Sequence, residues 1–206
     1  MEKEPINIII CGVGGQGNIL ASQVVAAAGI RQGLRVSIGE TYGASQRGGS
    51  VMSHIRFAQS FHPGPLIPRG EADLIVGFEP LETLRVLVDY GKDDTKVIFN
   101  SRPNYPLSVL SGDAKYPELD FILKEIKNLA QKAVVLEATE LARKAGNHLA
   151  QNLVMVGALA GSGWLEVPAG NFEQVIGELF EDPAKRELNI KAFDEGVQGI
   201  KQAPAL

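Results

Sequence analysis

Cysteine is almost absent from this 206-residue chain, in which Cys11 is the only one. A single cysteine excludes a disulfide within the chain. It also excludes a zinc or iron–sulfur site built from the chain's own thiolates, because such sites take several cysteines. Any iron–sulfur cluster that works with this protein must therefore belong to a partner.

Long apolar runs and a strong charge of one sign are also missing. No uninterrupted apolar stretch approaches the ~20 residues that cross a bilayer, and the N-terminal residues MEKEP lack the cationic start of a signal peptide. Twenty basic and 24 acidic residues give a net charge of −4, which disfavours a nucleic-acid or anionic-membrane surface. We expect a cytoplasmic protein that binds neither nucleic acid nor membrane.

The apolar residues that are present follow the pattern of an α/β domain. A short β-branched segment at 6–11 predicts a buried strand and 34–38 a second short strand, and segment 16–31 between them has helical spacing. Such β–loop–α–β units give parallel strands with a right-handed crossover. Further strands are predicted at 72–78, 96–100 and 133–137, helices at 80–90, 117–131 and 138–145, a proline-rich loop at 61–70 and irregular chain at 101–116.

The pattern changes after the second strand. Residues 39–49 are rich in glycine and polar side chains without a helical stripe, and 50–58 again alternates like a strand. A parallel return needs a crossover, usually helical, so the third strand is predicted to run antiparallel or to lie apart from the first two. This departs from a standard dinucleotide-binding fold.

The last third of the chain is predicted to be helical. Segment 149–160 is almost wholly apolar, and 171–198 reads as two helices with a bend at Asp182-Pro183. We therefore predict one domain over 1–206, with an α/β core at 1–148 and a mostly helical part at 149–206. The fold class is a Rossmann-like three-layer α/β sandwich with an incomplete dinucleotide fold.

The first loop follows the first strand and opens a helix, as a dinucleotide-binding motif requires. Gly12, Gly14 and Gly17 match G-x-G-x-x-G, and Glu40 follows Gly17 by 23 residues, near the spacing of a ribose-binding acid. Three interpretations stay open: glycines that only allow close packing, an anion site at the helix start, or NAD or FAD binding.

The second loop brackets polar residues with glycine. Gln46 and Arg47 lie between Gly43 and Gly48-Gly49, and the planar Arg47 side chain suits a carboxylate or phosphate. His54 and Arg56 fall on one face of the third strand by period-two alternation, so they could form a cationic cluster with Arg47. The alternative is a solvated strand face beside a flexible loop.

These motifs resemble the gamma-type subunits of 2-oxoacid:ferredoxin oxidoreductases, within them the indolepyruvate type. The resemblance rests on GVGGQG, YGASQRGGSVMSHIR and ADLIVGFEPLETLR, and it extends to Asn152 in QNLVMVGALAG and Asn189 in ELNIKAFDEG. It covers nearly the whole chain. The paired GGQG and QRGG-x-x-x-x-H-x-R elements are much more specific than a lone glycine motif.

The resemblance implies a subunit of an enzyme rather than a complete enzyme. Such holoenzymes oxidatively decarboxylate a 2-oxoacid, form an acyl-CoA from coenzyme A and pass electrons to ferredoxin. Thiamine diphosphate, Mg²⁺ and 4Fe-4S clusters are expected in a large partner subunit, so this chain would carry no catalytic residue and no metal ligand. The 2-oxoacid stays open, as does whether the isolated chain is a monomer or a homodimer.

We expect the two loops to form one surface at the carboxyl ends of the first two strands, where open α/β sheets bind ligands. It would dock the thiamine-binding subunit and help hold an anion such as a coenzyme A phosphate, with Gln16 and Gln46 bonding across the interface and Arg47 pairing with an acid or phosphate. The candidate residues are Gly12, Gly14, Gly15, Gln16, Gly17, Glu40, Tyr42, Gln46, Arg47, Gly48, Gly49, His54 and Arg56.

Two rival functions remain at this level. One is a stand-alone NAD- or FAD-binding oxidoreductase module using the first loop and Glu40; the other is an interaction protein that uses the fold only as a scaffold. Cys11 is interpreted as a small core residue, with a reactive thiol as the minor alternative. His148 is interpreted as a surface or capping residue, and Trp164 as a core residue or an interface anchor, the latter favoured.

Overall fold

The computed structural model describes residues 3–42, 49–105, 107–204 and 206. The strands are β1 (Ile6–Val13), β2 (Arg35–Tyr42), β3 (Ser50–Ala58), β4 (Leu74–Gly77), β5 (Lys96–Asn100) and β6 (Lys132–Leu136). The helices are α1 (Asn18–Arg31), α2 (Pro80–Tyr90), α3 (Leu107–Leu110), α4 (Leu119–Leu129), α5 (Ala138–Ala145), α6 (Gln151–Gly161), α7 (Ala169–Leu179) and α8 (Pro183–Gln202), with a 3-10 turn at His148–Ala150.

The described strands form one six-stranded sheet in the order β2-β3-β1-β4-β5-β6. Strands β1, β4, β5 and β6 pair in parallel, whereas β3 is antiparallel to both β1 and β2. The predicted antiparallel third strand is therefore confirmed. The first βαβ unit is altered, because β1 and β2 point the same way but β3 lies between them.

Alternation along β1 divides the core into two layers. Ile8 and Ile10 belong to the hydrophobic cluster that contains α1, α6, α7 and α8, whereas Ile9 and Cys11 belong to the cluster that contains α2 and α4. All four side chains are fully buried, as expected for a strand covered on both faces. This confirms the three-layer α/β sandwich, with helices on both sides of a mixed sheet.

The C-terminal helices pack against the sheet and against each other. A Cβ atom at Gly157 of α6 would lie 2.0 Å from the Phe193 carbonyl oxygen, and one at Gly196 of α8 would lie 1.9 Å from the Val154 carbonyl oxygen. Only glycine lets these two backbones approach so closely. Among the helices of the described ranges, none combines the length and apolar content of a membrane span.

The parallel part of the sheet creates a crevice between β1 and β4. These strands are adjacent, but α1, which follows β1, packs on one face of the sheet, and α2, which follows β4, packs on the other. The chain leaves the carboxyl ends of the two strands in opposite directions. Open α/β sheets bind ligands at such a switch point, so the loops there define the candidate site.

Candidate functional site

The loop after β1 is closed by the Gln16 side chain. Its Oε1 accepts the Val13 backbone N–H at 2.7 Å, and its Nε2 donates to the Phe78 carbonyl at 3.1 Å. Gln16 is buried, so its amide ties the β1 loop to the end of β4. This corrects the expectation that Gln16 bonds across an interface, because its polar atoms already serve inside the chain.

Two of the motif glycines are required by the chain's own packing. A Cβ atom at Gly12 would lie 2.6 Å from the Gln16 Oε1, and one at Gly17 would lie 2.4 Å from the Asn152 Nδ2. Gly17 also has φ +85°, a conformation that favours glycine. These contacts explain why glycine stands at both positions whether or not a dinucleotide binds. The match to G-x-G-x-x-G alone therefore does not indicate NAD or FAD binding.

The middle of the same loop is open and meets the second loop. Gly15 has φ +102° and nothing within 4 Å of the position where a Cβ would lie. The Gly14 backbone N–H donates to the Gly49 carbonyl at 2.8 Å. The start of β3 and the loop after β1 therefore lie side by side at the carboxyl end of β1.

A first cleft lies beside this junction. It has a volume of about 430 Å³ and is lined by Gly14, Gly15, Gly17, Asn18, Ile19, Tyr42 and Val51. The N-cap of α1, Gly17, offers no side-chain cap, so the helix presents uncapped backbone N–H groups. Tyr42 is 51% exposed and Ile19 44%. The cleft thus combines the positive end of a helix with exposed apolar surface.

A second cleft, which no sequence pattern predicted, lies on the other side of Gly14 and Gly15. It has a volume of about 360 Å³, and segments around 100–104, 139 and 148–151 complete its lining. Arg102 and His148 are exposed cationic or ionisable side chains on this lining, and neither has an ion-pair partner among the described residues. His148, interpreted from sequence as a surface or capping residue, is exposed, and it lines this cleft.

Hydrogen bonds between buried side chains fix the floor of the second cleft. The Asn100 Oδ1 accepts the Ala138 backbone N–H at 3.1 Å, and its Nδ2 donates to the Thr139 hydroxyl at 3.2 Å. The Thr139 hydroxyl donates to the Gln151 Oε1 at 3.0 Å. The starts of α5 and α6 are thereby joined to the end of β5, so the cleft has a fixed base.

A buried carboxyl group anchors the chain segment that forms one wall. Glu79 caps α2 by accepting the Glu82 backbone N–H at 2.8 Å, and it also accepts a hydrogen bond from the Tyr116 hydroxyl. Burial raises the pKa of Glu79, and the hydrogen bonds from Tyr116 and from the backbones of Glu82 and Asn104 oppose that rise. Glu79 therefore holds both ends of segment 104–116, next to Arg102.

Glu40 does not lie where a ribose-binding acid is expected. Its carboxylate accepts hydrogen bonds from the hydroxyls of Ser22 at 2.9 Å and Ser53 at 2.6 Å. Because β3 separates β2 from β1, Glu40 is two strand spacings from the glycine loop, about 9.6 Å. The sequence spacing matched the dinucleotide pattern, but the inserted strand moves the acid away.

His54 and Arg56 are structural residues and not parts of a cationic site. The Arg56 guanidinium donates to the Gly64 and Leu66 carbonyls at 3.0 and 3.1 Å, and the His54 Nδ1 accepts the Ile67 backbone N–H at 3.3 Å. Burial, and secondarily the charge of Arg56, lowers the pKa of His54. The predicted cluster is wrong for these two residues, which hold the proline-rich loop against the sheet.

The remaining predicted residues fall into two groups. Gln46, Arg47 and Gly48 lie outside the described residues, so their roles stay predictions. Cys11 is buried, and burial together with the nearby Glu82 raises its pKa, so the thiol is a core group rather than a reactive thiolate. Within the described ranges, no group of three or more His, Cys, Asp or Glu side chains is arranged to hold a metal ion.

Comparison of the sequence with known proteins found a matching family and similar proteins. The model of the pyruvate ferredoxin/flavodoxin oxidoreductase family matches residues 7–199. The chain is also similar to the indolepyruvate oxidoreductase subunit IorB of Archaeoglobus fulgidus. The two are 41% identical over 203 residues, which cover 97% of this chain and 98% of the relative.

Solved structures share the fold at lower sequence identity. The gamma subunit of a keto/oxoacid ferredoxin oxidoreductase from Geobacter sulfurreducens is 22% identical, with a TM-score of 0.68 over 96% of this chain and 99% of that one. The 2-oxoglutarate:ferredoxin oxidoreductase of Magnetococcus marinus, solved with 2-oxoglutarate, coenzyme A and succinyl-CoA, is also 22% identical, with a TM-score of 0.71. There the match covers 97% of this chain but only 32% of the larger one.

Proposed function

This chain belongs to the pyruvate ferredoxin/flavodoxin oxidoreductase family, and from that premise we propose that it is a non-catalytic subunit of a thiamine-dependent 2-oxoacid:ferredoxin oxidoreductase. The preferred substrate of the complex is indolepyruvate, as the name of the Archaeoglobus relative supports. The complex would oxidise the 2-oxoacid to an acyl-CoA and carbon dioxide and pass the two electrons to ferredoxin in the cytoplasm. Near-complete coverage of both chains supports assigning the role of a whole subunit.

The residues of this chain fit a supporting role better than a catalytic one. With one cysteine, the chain alone does not supply the thiolates of a 4Fe-4S cluster. Bound in a partner subunit, thiamine diphosphate with Mg²⁺ would supply the carbanion chemistry and the clusters would carry the electrons. What remains for this chain is to shape and complete a site in the assembly.

The surface at the carboxyl edge of the sheet is the proposed point of assembly. The bond from the Gly14 N–H to the Gly49 carbonyl carries this proposal, because it joins the two glycine loops into one surface. Tyr42 and Ile19 are exposed beside it, and Leu149 is 70% exposed on the other side. Exposed apolar groups around an open backbone are typical of a surface that another chain covers.

The same surface would help bind an anionic group of coenzyme A. The uncapped start of α1 faces the first cleft, and Arg102 and His148 line the second, so positive groups lie on both sides of Gly15. Arg47, from the second loop, is proposed as a further partner of an acid or phosphate. The Magnetococcus structure, which contains coenzyme A, supports this choice of ligand only by its shared fold.

The test uses the complex of this chain with its large subunit. We expect Arg47→Ala either to reduce the yield of the complex or to raise the KM for coenzyme A, and Arg102→Ala to raise that KM about tenfold with kcat unchanged, because each removes a charged hydrogen-bond donor. Arg35→Ala removes the same charge from an exposed position at the other end of β2 and is the matched control.

Unchanged assembly together with an unchanged KM in both variants would contradict the proposed surface. A stand-alone dinucleotide enzyme makes a different prediction, in which the isolated chain gains thermal stability as RT ln(1 + [L]/Kd) when NAD(P) or FAD is added. The position of Glu40 counts against that function. Such a shift in the isolated chain would revive it.

A further inference from the structure

Two lysines lie side by side at the amino end of the sheet, opposite the loops described above. Lys96 begins β5 and Lys132 begins β6, and the two are register partners in the parallel pair. Like charges on directly opposed residues of neighbouring strands repel each other and destabilise a sheet. Neither lysine has an ion-pair partner among the described residues.

Two other lysines at the amino end of the sheet form ion pairs, unlike Lys96 and Lys132. Lys3 and Lys92 both form ion pairs with Asp73, and their hydrogen bonds outweigh the effect of burial and lower the pKa of that carboxyl group. Within the described residues the fold thus supplies a carboxylate partner to Lys3 and Lys92 but no ion-pair partner to Lys96 or Lys132.

The Trp164 ring lies close to the ammonium groups of both Lys96 and Lys132. Its ring centroid is 5.8 Å from the Lys96 Nζ and 5.5 Å from the Lys132 Nζ, within the range of cation–π attraction. The ring is partly buried and packs against the large hydrophobic cluster, so its position is fixed. Tryptophan is one of the residues enriched in the hot spots of protein interfaces.

From this arrangement we infer that Lys96, Lys132 and Trp164 form a docking site for the acidic surface of a protein partner. Among the described residues, the cleft that Trp164 lines has about 170 Å³ and is lined by neither Lys96 nor Lys132, which makes it small for a nucleotide held by these lysines. A nucleic acid would need many more cations than two unpaired lysines on a chain of net charge −4. Carboxylates on a protein surface match two ammonium groups beside a partly buried indole ring.

This site is separate from the proposed assembly surface. The two ends of the five-residue strand β5 are about 13 Å apart. The lysines therefore lie at the amino ends of the strands, and the clefts lie at their carboxyl ends. An acidic partner could therefore bind while the large subunit covers the glycine loops. The inference does not depend on the proposed function, and its test needs no enzyme activity.

Trp164 is the only tryptophan in the sequence, so its fluorescence reports on the site directly. The experiment titrates the full 206-residue chain with a labelled octaglutamate peptide at low salt. Peptide anisotropy gives the affinity, and Trp164 emission gives the location. We expect saturable binding with an emission change and at least fivefold weaker binding by Lys96→Ala/Lys132→Ala, and Lys96→Arg/Lys132→Arg should retain the affinity.

The matched control is Lys185→Ala/Lys191→Ala, which removes two exposed positive charges from α8. The control should bind as the unchanged chain does, and thermal melting checks that all variants fold. Equal weakening in both double alanine variants would overturn the inference, as would binding without an emission change or no binding at all. Tighter binding of a single-stranded oligothymidylate than of the peptide would also overturn it in favour of nucleic acid.

Discussion

The parallel half of the sheet places polar residues around a cleft, whereas the antiparallel half uses polar residues to hold the proline-rich loop. In the parallel half, β1, β4, β5 and β6 all end at one edge, where Gly14, Asn100 and Thr139 lie together around a cleft. In the antiparallel half, β3 starts at that edge and runs away from it. By Arg56 the chain has travelled about 20 Å and lies opposite Asn7, near the start of β1.

This difference shows that strand direction decides which polar residues reach the site. His54 and Arg56 follow the glycine-rich loop closely in sequence, yet they bind the proline-rich loop near the far edge. Arg102 and His148 lie far apart in sequence, yet both follow parallel elements and line one cleft. The comparison predicts that variants near the carboxyl ends of the parallel strands disturb the clefts and that variants in the far part of β3, around His54 and Arg56, do not.

The largest effect is expected in the parallel half, from Gly17→Ala. The new Cβ would lie 2.4 Å from the Asn152 Nδ2 at a positive φ, so clash and strain together should lower the free energy of unfolding by about 3 kcal/mol. Gly15→Ala is the control, because it has a positive φ but open space, and it should cost about 1 kcal/mol.

Urea denaturation of the purified chain measures both values. Adding Asn152→Ala to Gly17→Ala should recover part of the loss by removing the clash. Equal costs at Gly15 and Gly17 would show that the two glycines do not differ in packing.

An intermediate effect is expected in the antiparallel half, from Arg56→Ala. The variant removes the donors to the Gly64 and Leu66 carbonyls and to the Asn7 side chain, so stability should fall by about 2 kcal/mol. Hydrogen exchange should increase in the proline-rich loop, while the KM for coenzyme A in the complex should stay unchanged. Arg35→Ala provides the charge control, and a raised KM in Arg56→Ala alone would place this residue back in the site.

The smallest effect is expected from Tyr116→Phe beside the second cleft, and it depends on pH. Burial raises the pKa of Glu79, so the folded chain holds a proton that the unfolded chain has lost. The contribution of Glu79 therefore makes the unfolding free energy fall as the pH rises from 4.5, the ordinary pKa of this carboxyl group, toward its raised pKa in the folded chain. Removing the Tyr116 donor should raise that pKa further and extend the fall to higher pH.

We expect Tyr116→Phe to cost about 1 kcal/mol at pH 8 and less at pH 5, because only the ionised carboxylate needs the donor. Denaturation across this pH range measures the difference. Tyr105→Phe is the control. It also removes a hydroxyl, from a ring that contacts Tyr116 edge-on, but it keeps the hydrogen bond from Tyr116 to Glu79. The same cost at both pH values would contradict the role given to Glu79.

Local signals in the sequence were sufficient for many elements. The predicted bounds of β3, α2, β5 and α5 agree with the structure, because glycine, proline or charged residues mark where each begins or ends. The proline-bearing segment 101–116 contained a short helix, Leu107–Leu110, that no periodicity indicated. Of the candidate site, the sequence predicted that the two glycine loops lie together, and the bond from Gly14 to Gly49 agrees with this, whereas the second cleft was not predicted.

The sequence by itself determined the alternation that buries β1 on both faces, the glycine turn before α1 and the shortage of cysteine. Each depends on neighbouring residues or on composition, so no knowledge of distant contacts is needed. Only the tertiary structure decided that β3 lies between β1 and β2, that Glu40 is bound by two serines, and that Arg102 and His148 line one cleft. Those outcomes depend on strand order and direction, which join residues far apart in the chain and leave no periodic mark in the sequence.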